Sequence, residues 1–112
     1  MDEAVLDRMI AFATEALASE DSRRVGALVR TMALRWPRER ALTISFALTA
    51  AASGIEDMVT GGGPGSSVAR AYKLAALVAA DVLAIETAGR KRARANDLLL
   101  YWRRADPYFL DL

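Results

Sequence analysis

The stretch Val68–Ala88, VARAYKLAALVAADVLAIETA, constrains this chain more than any other. Set on a helix at steps of about 100°, Arg70, Lys73 and Asp81 fall within one narrow sector. Nearly everything else in it is valine, leucine, isoleucine, tyrosine or alanine. A helix apolar over most of its circumference has to be covered on several sides. The pattern therefore predicts a central helix, about residues 67–88, with shorter amphipathic segments wrapped around it.

The rest of the composition points the same way. Among 112 residues there are 23 alanines, the best helix former, and comparatively few β-branched residues. Gly61–Gly65 is the only turn-rich cluster. The expected fold is all-α, a single domain over residues 1–112 built as a small bundle of four to five helices.

The helices follow in order. The first is expected from Glu3 to Ser19 behind an Asp2 cap, with Val5, Met9, Phe12 and Ala16, and Leu6, Ile10, Ala13 and Leu17 beside them, on its buried stripe. A second, Arg23 to Arg35, follows a cap at Asp21 or Ser22. Trp36-Pro37 is a boundary, and Pro37 suits the first turn of a third helix, Arg38 to Thr60. Ser66 or Ser67 caps the central helix and Gly89 ends it. Asn96 or Asp97 then caps a last helix, Leu98–Arg104, which Pro107 separates from a short tail; the alternative to this break is one long bent helix continuing through residue 89.

Charge excludes more than it suggests. Fifteen basic and fourteen acidic residues leave a net charge of +1, so no global field draws the chain to nucleic acid or an anionic membrane. There is no cysteine and no histidine, which rules out disulfides, thiolate nucleophiles, Cys/His zinc sites and imidazole acid–base chemistry. The N-terminus, MDEAVLDR, is acidic where a secretory signal is basic. The uncharged run Ala41–Ile55 is shorter than the roughly 20 residues that span a bilayer. These features describe a soluble, cytoplasmic protein.

Four places invite a functional reading. GGGPGSS before a helix resembles an anion cradle, but it lacks the Gly-Lys-Ser/Thr ending of a phosphate loop and no strand precedes it. Arg90, Lys91, Arg92 and Arg94, with Arg103 and Arg104 beside Tyr101 and Trp102, offer a nucleic-acid surface or simply cations at helix ends. Glu56, Asp57 and Asp81 are the carboxylates to inspect, although no base, nucleophile or metal partner accompanies them. The C-terminal residues Trp102, Tyr108, Phe109, Leu110 and Leu112 are apolar where termini are usually polar. They would dock on their own core or lie across a second subunit.

No motif that defines a helix-turn-helix regulator, a helical cytochrome or an acyl carrier is present. The expectation is a non-enzymatic protein–protein interaction or structural module, without metal or cofactor, acting as a homodimer. The alternative is a nucleic-acid-binding regulator using the Arg90–Arg104 region. A weaker one is a bundle holding an apolar small molecule between its third and fourth helices.

Overall fold

A computed structural model describes residues 3–58, 65–89 and 91–112. Five α-helices and one short 3-10 turn make up an all-α bundle: α1 (Glu3–Ala18), α2 (Ser22–Arg35), α3 (Ala41–Met58), α4 (Ser66–Gly89), α5 (Ala95–Arg104) and η1 (Tyr108–Leu110). Among the described residues no helix is long and apolar enough to cross a membrane. The expected Asp2 cap, the Gly61–Pro64 part of the connection after α3, and Arg90 lie outside the described residues.

Helix α3 lies between α1 and α4, and α2, α5 and η1 pack across them. The buried stripe of α1 is Met9, Ala13, Ala16 and Leu17, and α2 contributes Val25, Leu28, Val29 and Met32. Both follow the spacing of apolar residues along the sequence. Ala41, Ile44, Ala47, Leu48, Ala51 and Ala52 of α3 meet Val68, Ala71, Leu74, Ala75, Val78 and Val82 of α4 in the same core. So many alanines let helix axes approach closely, and the larger side chains fill what remains.

Between α1 and α2, Glu20 takes a left-handed backbone conformation (φ 55°), a strain that glycine would avoid. The Asp21 carboxylate then caps α2, accepting from the amides of Arg23 and Arg24. Arg35 lies over the rings of Phe12 and Trp36, 5.2 and 5.0 Å from their centres, and joins the end of α2 to α1.

Two helix starts differ from the sequence expectation. Pro37 is not in the first turn of α3, which begins only at Ala41. Residues 37–40 instead run alongside 93–96: the Ala41 amide donates to Ala93 O, Ala95 to Glu39 O, and Asn96 to Pro37 O. Backbone groups claimed by this long-range pairing cannot also start a helix. Helix α5 correspondingly begins at Ala95. Asp97 acts from inside its first turn, accepting from the Arg94 amide at 2.8 Å.

The solvent face of α4 also differs. Arg70 and Asp81 do not share an exposed stripe with Lys73. Apart from the residues at its two ends, the exposed positions are Ala69, Lys73, Ala76, Ala80, Leu83, Ala84 and Thr87, whereas Asp81 is buried. Alanine is apolar enough to suggest burial and small enough to tolerate water, so hydropathy alone misplaced this face.

Candidate functional surface

Trp102 organises the C-terminal residues. Its ring is fully buried, and its Nε1 donates to Asp81 Oδ2 at 3.0 Å. This contact explains the aspartate in the apolar run of α4. Burial pushes the Asp81 carboxyl above the ordinary carboxylate range; the Trp102 hydrogen bond opposes that shift and Asp106 adds to it. Phe109 packs on Trp102 with ring centres 5.0 Å apart, and Tyr108 meets Phe109 edge-on at 5.3 Å. Arg30 of α2 donates to Leu110 O at 3.1 Å and ties the tail down.

The tail therefore lies on its own chain. Of the five residues singled out from it, Trp102 and Phe109 belong to the core and Leu110 is half-buried. Tyr108 and Leu112 keep partial exposure.

The basic residues fall into two groups, one before α5 and one in its last turn. Arg94 sits before α5, where its guanidinium donates to Arg38 O at 2.6 Å. Arg103 and Arg104 occupy the last turn of this ten-residue helix, about 15 Å away along its axis. There they face the negative end of the helix dipole. Lys91 and Arg92 are exposed, and Arg90 is outside the described residues.

The other candidates have local roles. The Tyr72 hydroxyl donates to Glu56, and that carboxylate holds the Tyr72 hydroxyl above its usual range. Asp57 is exposed. At the start of α4, Ser67 Oγ donates to Glu20 Oε2 at 2.9 Å, so a carboxylate of the chain itself stands near the helix end that the glycine motif would offer an anion. Among the described residues no three potential metal ligands converge.

Large apolar side chains are exposed elsewhere. Met58 at the end of α3 and Leu34 of α2 stand singly, whereas Leu83, 69 % exposed, Phe46, 55 %, and Leu42, 45 %, belong to the neighbouring helices α3 and α4. Ser45 Oγ donates to Ala75 O at 2.8 Å, and with the Tyr72–Glu56 contact further along the pair this shows α3 and α4 running antiparallel. In that arrangement Leu42 and Leu83 lie towards the same end of the pair. Thr49, Ala76 and Ala80 are exposed on the same two helices, and Lys73 and the half-buried Glu86 are the charges nearest this face on α4 among the described residues. The sequence carried one sign of this face: Leu42 and Phe46, four apart, sit within the uncharged run that has no tail or loop predicted to cover it.

The chain matches no known family model, no curated protein and no solved structure.

Proposed function

We propose that this protein is a non-enzymatic interaction module that acts in the cytoplasm as a homodimer, through the outer face of α3 and α4. The observation that carries the reading is the exposure of Leu42, Phe46 and Leu83 on the two neighbouring helices α3 and α4. An apolar face of this kind favours burial against a partner. It offers too little charge to select an unlike partner by complementarity. A second copy suits it, because the large side chains of one face can pack on the exposed Ala76, Ala80 and Ala84 of the other in a two-fold arrangement.

Size supports the same occupant. Helices α3 and α4 have 18 and 24 residues, so the shorter is about 27 Å long. Two such helices side by side, each about 10 Å wide, present roughly 500 Å² per protomer. The total, about 1,000 Å², reaches the lower end of specific interfaces. The basic residues at the two ends of α5 and the docked tail take no part.

Light scattering coupled to gel filtration tests this. The parent should run at twice the chain mass and shift towards monomer on dilution. Phe46→Glu combined with Leu83→Glu should be monomeric with an unchanged helical circular-dichroism spectrum. A parent that stays monomeric at high concentration overturns the proposal, as does a dimer unaffected by the double substitution.

A further inference from the structure

Helix α2 carries a second pattern, independent of the α3–α4 face. Arg23, Gly26, Ala27 and Arg30 follow the i, i+3, i+4, i+7 spacing of one helix face, with two small residues between two arginines. Arg70 of α4 reaches across to the same place. Its guanidinium lies over Gly26, where a Cβ would stand 3.0 Å from Nη2. Its Nη1 donates to Ser22 O at 3.1 Å and to Ser22 Oγ at 3.4 Å. The three arginines, with Ser22, Gly26, Ala27 and Leu112, line one depression of about 520 Å³.

Three cations around one hollow repel one another unless something negative joins them. Among the described residues none of the three guanidiniums is within ion-pair distance of a carboxylate, and the Arg23 side chain makes no polar contact. Asp21 is committed to the α2 amides and Glu20 to Ser67, and Asp111, exposed beside Leu112, forms no ion pair with the three arginines. Arg30 and Arg70 are each fixed by bonds from Nη1 to the protein, which leaves their remaining N–H groups free. Gly26, a residue unfavourable inside a helix relative to alanine, leaves room for the Arg70 guanidinium.

We infer that this hollow binds a phosphoryl dianion, either free phosphate or the phosphate group of a small monoester. Three guanidiniums approaching from two helices suit a doubly charged tetrahedral group better than a single carboxylate. Ala27 and Leu112 give an apolar wall against which the rest of an ester can lie. The volume is within the range of small-molecule sites.

Isothermal titration calorimetry with inorganic phosphate and with glycerol phosphate, against chloride at matched ionic strength, tests the site. Saturable one-to-one binding is expected. Its affinity should fall at least about tenfold in Arg70→Gln and in Arg23→Gln, and stay within about twofold in Arg103→Gln. Arg23, exposed and unbonded through its side chain, keeps the test valid if Arg70→Gln impairs folding. Tighter binding of glycerol phosphate identifies an ester as the ligand, and tighter binding of phosphate identifies the free anion. No saturable binding of either probe overturns the inference, as does an equal loss in Arg103→Gln, which would mark a general charge effect.

Discussion

At the scale of single residues, Asp81 and Gly26 look alike in the sequence, each a poor fit to its helix, yet each is explained by a contact from another element. Asp81 receives the buried Trp102 indole. Its carboxyl pKa is raised by burial, so the folded chain holds that proton more tightly than the unfolded chain does. Its contribution to stability is therefore greatest below the ordinary carboxylate range and is lost as pH rises through the raised native value. Asp81→Asn keeps an acceptor for Trp102 without a buried charge. It should melt at or above the parent near neutrality, with the gap closing as pH falls. Asp81→Ala leaves the indole N–H unsatisfied and should cost about 1–3 kcal/mol. Thermal melts of the two variants across the acid range check both; an Ala variant as stable as the Asn variant would remove the indole contact from the account. Gly26→Ala separates structure from ligand. The new methyl meets only the far end of Arg70, a flexible side chain, while helix propensity improves by up to about 1 kcal/mol. The expected result is an unchanged or higher melting temperature with weaker phosphate binding. A loss of stability with unchanged binding would make Gly26 a packing residue only.

At the scale of elements, periodicity exposed what was local and missed what was long-range. The stripe of α1, the Asp21 cap of α2, the extent of α4 and its end at Gly89 all rest on residues within a few positions of one another, and all were legible. The starts of α3 and α5 depend on 37–40 pairing with 93–96, more than fifty residues apart, and no local pattern encodes that. The same holds for the candidate surfaces. The arginine–glycine–alanine–arginine face of α2 could be read from its spacing, but the arrival of Arg70 could not. The exposed face of α4 was hidden by alanine, which fits either environment. Three substitutions along α4 test the corrected orientation. Val78→Asp, at a fully buried position, should prevent folding; Leu77→Asp, half-buried, should lower the melting temperature; Ala80→Asp should be close to the parent. Equal melting of all three would mean the helix is turned otherwise. For the tail, removing residues 107–112 takes Phe109 out of the core, a loss of about 3–5 kcal/mol by analogy with Phe-to-Ala changes. Because the tail docks on its own chain, that truncation should lower the melting temperature without changing the oligomeric mass.

At the scale of the whole molecule, the two proposed surfaces are built from different sides of α4. Arg70 turns towards α2, whereas Ala76, Ala80 and Leu83 turn outward beside α3. No side chain is shared between them. A ligand that binds only the folded chain raises its stability by an amount set by concentration over Kd, whatever else the chain binds. Dimerisation acts through protein concentration in the same way. Two independent effects should therefore add. Raising protein concentration should raise the melting temperature of the parent and leave the Phe46→Glu/Leu83→Glu variant unmoved. Saturating phosphate should raise both by the same free energy, and should raise Arg70→Gln much less while leaving its concentration dependence intact. The comparison needs only melting curves over a grid of protein and phosphate concentrations. If phosphate stabilises the parent but not the monomeric variant, the hollow is completed by the partner copy and the sites are coupled. If concentration matters for none of the proteins while phosphate still discriminates Arg70→Gln, the homodimer falls and the anion site stands.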